Sequence, residues 1–358
     1  MKLDRVTRLS GSILVIFLVT IILGEISLRT LHHFRPMFVF YDDSYSRFRG
    51  APGAQAMDIR LNSLGFRDAE FGPKQSNVYR IVAIGDSFAY GVVPYRNNFL
   101  TVLESNLNGI GAAEVLNMGI PGTGPKDYFD LFVREGLSLE PDAVLVTFFI
   151  GNDITAGAGQ VRGGAISRYS YLWSALRYLV WIRPFVEPVP IIPGGDLASY
   201  QYCDDCPRWP LGEFLAIETN YAEVFFTNVQ ETKSNIIYSL QPLLDMKAIC
   251  DRKQIDFFVV LAPDQVQVSE ELASVIMKRG YQPYEKYWDP KYPNRAILEI
   301  LRSNGVRVLD LLPSFQQVGR AKRLYLPRNT HWNIAGNKLA ADQISSWLVN
   351  KISLKPTI

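Results

Sequence analysis

Tyr79-Arg80-Ile81-Val82-Ala83-Ile84-Gly85-Asp86-Ser87-Phe88-Ala89-Tyr90-Gly91 decides the fold class of this chain. Tyr79–Ile84 is short and rich in aliphatic residues without strict polar alternation, the pattern of a strand covered on both faces in a parallel sheet. Such a strand delivers Ser87 just beyond its carboxyl end, where open α/β sheets bind their ligands. The helix that begins there offers unpaired N–H groups to a developing oxyanion. Gly-Asp-Ser also occurs in ordinary turns, so the reading rests on what surrounds it.

Outward from this strand the pattern repeats. Glu114–Asn117, Ala143–Phe149, Asp256–Ala262 and Val306–Leu311 are further short apolar runs. Helices are expected over Asn98–Leu107, Lys126–Leu137, Thr232–Arg252, Glu270–Arg279, Asn294–Ser303 and Ala335–Asn350. Strands alternating with helices imply crossover connections, hence an α/β fold with a five-stranded parallel sheet covered on both faces. Residues 154–228 break the rhythm, being long and rich in Pro, Gly and aromatics, and read as an insertion. Within it Tyr169–Ile182 is apolar and aromatic, but Arg177 and the flanking Arg168 and Arg183 argue against a second membrane span. A packing helix, a lid over a substrate groove and an interfacial membrane contact remain open for it. Residues 29–75 form an irregular lead-in that contains the turn-rich element Asn62–Asp68.

The N-terminus carries Lys2, Arg5 and Arg8, and Leu9–Gly24 is then almost purely apolar. Extended to Leu28, with Glu25 at the interface, it reaches the ~20 residues of a spanning helix. Gly-Glu-Ile-Ser-Leu-Arg supplies no small-residue cleavage site, so an uncleaved anchor is expected rather than a removed signal peptide. The division is then a cytoplasmic terminus over 1–8, a transmembrane anchor over 9–28, the lead-in over 29–75 and the catalytic domain over 76–351. The positive flank places that domain on the extracytoplasmic side, periplasmic or extracellular. Net charge is only +2, from 37 basic and 35 acidic residues with the signs mixed. There is no electrostatic footprint for a nucleic-acid backbone, and no nucleic-acid partner is expected. Cys203 and Cys206 form a C-x-x-C without the strand-to-helix context of a redox motif, which leaves a local disulfide or free thiols. No histidine stands near them in sequence to complete a zinc site, and no metal is expected.

Three strands in succession end in a small polar loop. Asn117-Met118-Gly119-Ile120-Pro121-Gly122-Thr123-Gly124 follows the second and Gly151-Asn152-Asp153 the third. A glycine N–H and an asparagine amide suit an oxygen that becomes negative, because neither brings charge or bulk. Turn-capping by Asn152 and a ligand-free tight turn at Gly122 are the structural alternatives. The chain has three histidines; His32 and His33 adjoin the apolar segment, so any imidazole chemistry in the globular part must use His331, in Leu326-Pro327-Arg328-Asn329-Thr330-His331-Trp332.

The serine, glycine, asparagine and histidine blocks, in this order and strand placement, resemble the SGNH or GDSL hydrolase superfamily over roughly Asn62–Lys351. The resemblance implies a three-layer α/β/α flavodoxin-like SGNH hydrolase fold, no cofactor, and esters of lipids, acyl thioesters or O-acetylated carbohydrates as substrates. It assigns Ser87 as nucleophile, His331 as general base, and the Ser87 N–H, the Gly122 N–H and the Asn152 amide as the oxyanion hole. Two departures stand out. Gly151 directly precedes Asn152, where the family usually has an intervening residue. The family's Asp-x-x-His reads Arg328-Asn329-Thr330-His331, so no aspartate orients the imidazole. A backbone carbonyl of that loop or the Asn329 amide oxygen is a substitute, and Asp310 and Asp264 at strand ends are others. The leading expectation is a carboxylic ester hydrolase removing an ester or O-acetyl group from an envelope or extracellular carbohydrate. An O-acetyltransferase working with an envelope polysaccharide assembly partner, and a non-catalytic carbohydrate-binding subunit, are the alternatives.

Overall fold

Five apolar runs become the strands of one parallel sheet in the computed structural model, which describes residues 2–34, 49–50, 52–157, 170–177, 201–227, 230–280 and 285–354. A two-residue-per-strand hairpin, β1 (Gln55–Ala56) and β2 (Ile59–Arg60), precedes it. The sheet comprises β3 (Tyr79–Gly85), β4 (Ala113–Asn117), β5 (Ala143–Phe149), β6 (Asp256–Ala262) and β7 (Arg307–Asp310) in the order β4-β3-β5-β6-β7. All neighbours are parallel, with Ala83 opposite Asn117, Gly85 opposite Thr147 and Phe149 opposite Ala262. Every residue of β5 is buried, as the absence of polar alternation in its sequence requires of a central strand.

Alternate strand residues serve two cores. Ile81, Ala83, Leu145 and Val260 share one with Leu103 and Leu107 of the helix Phe99–Asn108 and with Ala341, Ile344 and Leu348 of the C-terminal helix Ile334–Leu348. Val82 and Ile84 turn to the opposite face and lie against Gly136, on the side where the helix Gln230–Lys253 packs on β6. The result is three layers, helix, sheet, helix. The chain reverses its direction of winding between β4 and β5, on either side of β3, and opens a crevice at their carboxyl ends.

The expected helices are present, with ends shifted by a few residues. Others were not expected, two of them longer than a turn or so. Leu211–Tyr221 lies in the insertion, and Leu312–Gly319 follows β7 where the apolar run had been read as strand through Leu311. The strand ends at Asp310 because Asp310 Oδ1 accepts the Leu312 N–H and Pro313 opens the helix at once.

The chain divides into two compact units, residues 1–51 with 161–191 and residues 52–160 with 192–358. In the first, the helix α1 (Lys2–Phe34) contains a stretch, Gly11–Leu31, with mean hydropathy 2.3 and none of its window buried. It is long and apolar enough to cross a membrane. Glu25 interrupts it, and its carboxylate accepts the Tyr171 and Leu172 N–H groups at 2.9 Å and the Ser170 hydroxyl, and pairs with Arg29. The helix Tyr171–Arg177, from the aromatic stretch of the insertion, is thereby capped by the apolar segment.

In the second unit the lead-in Asn62–Asp68 is a folded brace. Asn62 Oδ1 accepts the Leu64 and Phe66 N–H groups and closes the turn. This sends Arg67, 1 % exposed, inward to donate to the carbonyls of Tyr90, Gly91 and Val93 and to Asp58. Its removal leaves those carbonyls short of a donor in a buried place. Arg67→Met, which keeps the apolar stem, is expected to lower unfolding free energy by about 3 kcal/mol. Denaturant melts checked against the parent protein measure this, and a change within about 0.5 kcal/mol would remove the brace from the account.

Candidate active site

Ser87 is the first residue of the four-residue helix Ser87–Tyr90 that follows β3, and the buried Asp86 caps it by accepting the Phe88 N–H at 2.9 Å. The carbonyl end of this helix is held as firmly as its start. Asn98 Nδ2 donates to the carbonyls of Ala89 and Tyr90, Asn117 Nδ2 to that of Ala89, and Arg67 to that of Tyr90. Gly119 lies so close to the helix that a Cβ there would sit 2.3 Å from the Tyr90 nitrogen. The Ala89 and Tyr90 carbonyls are thus held by side chains from three segments, which gives the Ser87 side chain a firm base.

His331 meets it from the other end of the chain. Its Nε2 lies 2.8 Å from Ser87 Oγ, across a sequence separation of 244 residues. The histidine stands in a hairpin-like turn closed by Leu326 N–H to His331 O and Asn333 N–H to Leu324 O. Asn329 Oδ1 lies 2.6 Å from Nδ1 and also accepts the His331 backbone N–H at 2.9 Å. A backbone N–H can only donate, so the amide must present its oxygen here. Nδ1 therefore carries the proton, and Nε2 is left as the acceptor facing Ser87. Phe88 packs against the imidazole with ring centroids 5.1 Å apart, and Trp332, Phe149 and Phe315 continue the aromatic wall.

The position three residues before the histidine does not fill the orienting place. Arg328 is exposed and adopts φ 48°, in the left-handed region, and that rotation brings the next side chain, Asn329, onto the ring. Asp310 is engaged elsewhere, accepting from Asn294 Nδ2 at 2.8 Å and from the Leu312 N–H. Asp264 caps the helix Gln265–Val268 and is hydrogen-bonded to the buried Glu218. Burial raises both carboxyls above their usual range, which favours keeping a proton on the pair. Of these candidates Asn329 is the one hydrogen-bonded to the ring, while Asp310 and Asp264 are engaged by Asn294 and Glu218.

With no carboxylate on its Nδ1 side, the imidazole is governed by burial alone, which lowers it from 6.5 to about 4. At neutral pH it is uncharged and able to accept a proton, although it is a weaker base than one backed by a carboxylate.

Asn152 follows β5, and its Nδ2 donates to Asp86 Oδ2 at 3.1 Å. A carboxylate accepts only, so this contact fixes the amide with nitrogen toward Asp86 and keeps its second N–H for a ligand. Gly122 follows β4 with φ 77°, and its N–H takes no part in the hydrogen bonds of that turn. Thr123, beside it, locks the turn by donating its hydroxyl to Ile120 O at 2.6 Å. The three loops that end β3, β4 and β5 thus surround the crevice at the point of reversal. Sequence reading did not anticipate Asn98, Asn117, Arg67 or Asp86 as supports of this arrangement. Asn117 at a strand end and Asp86 beside the serine were visible, but their partners are set only by the sheet order.

Residues 221–356 match the family model described as SGNH hydrolase-like domain, acetyltransferase AlgX. That stretch carries the histidine turn, while the serine, glycine and asparagine loops lie before it. No curated protein matches the chain. Among solved structures, the lipase/acylhydrolase from Enterococcus faecalis is 14% identical with a TM-score of 0.43, covering 78% of this chain and 98% of its own. The acetyl xylan esterase AlAXEase is 13% identical with a TM-score of 0.42, covering 75% and 99%. A lipolytic protein of the G-D-S-L family from Desulfitobacterium hafniense is 15% identical at 0.39, covering 75% and 98%. The sheet order and the placement of the blocks are those the sequence resemblance implied, and over residues 221–356 the chain is similar to that SGNH hydrolase-like domain.

Because only the neutral imidazole can take the serine proton, the sign of the pH effect follows directly. The rate kcat/KM should hold from neutral pH downward and fall to half near pH 4 as the ring protonates. Asn329→Asp places a negative charge on Nδ1, which raises the imidazole and moves this acid limb to higher pH. It should also raise the rate by about tenfold or more on unactivated esters. A pH–rate profile of both proteins checks the pair, and an unmoved limb in Asn329→Asp would remove Asn329 as orienter.

Proposed function

We propose that the protein is a serine acyl-transfer enzyme, a carboxylic ester hydrolase that removes an O-acetyl or related ester from an envelope or extracellular carbohydrate. The observation that carries this reading is the 2.8 Å contact between Ser87 Oγ and an imidazole nitrogen whose tautomer is set by Asn329. Ser87 Oγ attacks the ester carbonyl while His331 Nε2 takes its proton. The Ser87 and Gly122 N–H groups and the free N–H of Asn152 receive the oxyanion. His331 returns the proton to the leaving hydroxyl, and a water then cleaves the acyl-serine by the reverse use of the same base. Asn329 holds the ring but supplies no charge to the imidazolium, so activated aryl esters should turn over better than unactivated ones.

Acetyl transfer is the second reading, favoured by the acetyltransferase description of the matching family. It uses the same acyl-serine and differs only in the acceptor, a sugar hydroxyl in place of water. A polysaccharide assembly partner would then supply the donor.

The location belongs to the same proposal. The helix Lys2–Phe34 anchors the chain in a membrane, and the globular unit lies outside the cytoplasm. The basic flank Lys2, Arg5 and Arg8 supports this orientation. The disulfide between Cys203 and Cys206 supports it independently, because such bonds persist in oxidising compartments.

Ser87→Ala should abolish hydrolysis of a small acetyl ester and labelling by a fluorophosphonate while the fold is kept. Asn152→Ala should still be labelled but lose about 10²–10³ in kcat. A wild-type protein that neither labels nor turns over would instead be a binding subunit. Adding sugar acceptors to the assay separates the two acyl-transfer readings, since a transferase produces acetylated sugar at the expense of free acetate. A reporter fused after Ile358 that works only on the cytoplasmic side would overturn the orientation.

A further inference from the structure

The loop Tyr202–Arg208 is closed on itself by the Cys203–Cys206 disulfide, and four of its hydrogen bonds reach the segment that carries His331. Asp204 Oδ1 accepts the N–H of Ile334, the first residue of the C-terminal helix, at 3.1 Å, and accepts the Tyr202 hydroxyl at 2.6 Å. Arg323 donates to the Asp204 carbonyl and to the Asp205 carboxylate. The Arg208 N–H donates to Pro327 O at 3.1 Å, and the Arg208 side chain returns to Cys203 O and covers the Tyr202 ring. The points of attachment, 323, 327 and 334, bracket both Asn329 and His331.

Resting on the reading of His331 as general base, we propose that this disulfide-closed loop positions the base. Asp204 and the Arg208 N–H hold the two ends of the histidine turn, so that acyl transfer requires the Cys203–Cys206 bond. Two considerations separate this from a plain stabilising cross-link. A bridge spanning so few residues gains the least from restricting the unfolded chain. The Arg323–Asp205 pair is largely exposed and adds little on its own. What the bridge does fix is where Asp204 stands, between its two cysteines. The Asp204 carboxylate adds a second support to the helix start that Asn333 already caps through Gly336 N–H. A shift of the ring by about 1 Å relative to Ser87 is enough to slow the reaction by about 10²-fold.

The test uses the full chain in detergent. The double variant Cys203→Ser/Cys206→Ser should lose about 10–10²-fold in kcat with KM unchanged, and label with a fluorophosphonate correspondingly more slowly. Asp204→Ala should behave alike, while Asp204→Asn, which keeps an acceptor oxygen for Ile334 N–H, should restore most of the rate. Where the cysteine variant fails to fold, dithiothreitol on the folded wild type serves instead. It delivers two electrons and two protons to the bond, leaves two thiols and ends as its own cyclic disulfide. The rate should fall and return on reoxidation. A readout independent of turnover is the titration of the His331 ring by nitrogen NMR, which should move from about 4 toward 6.5 as the loosened turn admits water. Loss of thermal stability with an unchanged rate and an unmoved His331 titration would overturn the proposal. Absence of turnover in the wild type, with the titration shift present, would instead count against His331 as a base and leave the loop as its positioner.

Discussion

The carbonyls of Ala89, Tyr90 and Gly91 are the constraint on which the site depends. A four-residue helix cannot satisfy its own last carbonyls, and these point into a protein interior where an unpaired acceptor is costly. Asn98, Asn117 and Arg67 come from three different segments to supply the donors. Each of these is fixed in turn. Asn98 caps the helix Phe99–Asn108, Asn117 ends β4, and Arg67 is delivered by the Asn62 turn. The order of the strands and the course of the lead-in are thus both recorded in the placement of one serine.

On the other side of the reacting pair, a neutral amide stands where a carboxylate is more usual. The Asn329 oxygen performs the geometric part of the task, since it accepts from Nδ1 and is itself held by the His331 N–H. It contributes nothing to stabilising an imidazolium. Burial against Phe88 then acts alone, and it acts against the charged form. The site therefore trades basicity for a wide pH range over which the base is ready.

The sheet and the order of the functional loops were legible because doubly buried strands leave a signal that survives without context, a short apolar run followed by small polar residues. The long apolar N-terminal helix was legible from its unbroken apolarity. What the sequence concealed depends on three-dimensional exceptions to simple rules. A charged residue reads as exposed, so Arg67 gave no sign of being among the most buried side chains. Asn329 stood among several candidate partners of the ring, and only the left-handed conformation of Arg328, which no local pattern announces, brings its side chain there. Asp264 and Asp310 attracted attention as strand-end acids, and their actual partners, Glu218 and Asn294, lie on helices whose docking no local pattern reveals.

The separation of Ser87 from His331 by 244 residues has a consequence in time. A chain made from its N-terminus at about 5–20 residues per second presents the serine some tens of seconds before the imidazole exists. Through that interval β3 and β4 can pair, and the nucleophile loop can close on Asn98, Asn117 and Arg67, all of which come early. The imidazole reaches Ser87 only when the last strand and the histidine turn dock, so the pair forms once nearly all of the core has been assembled.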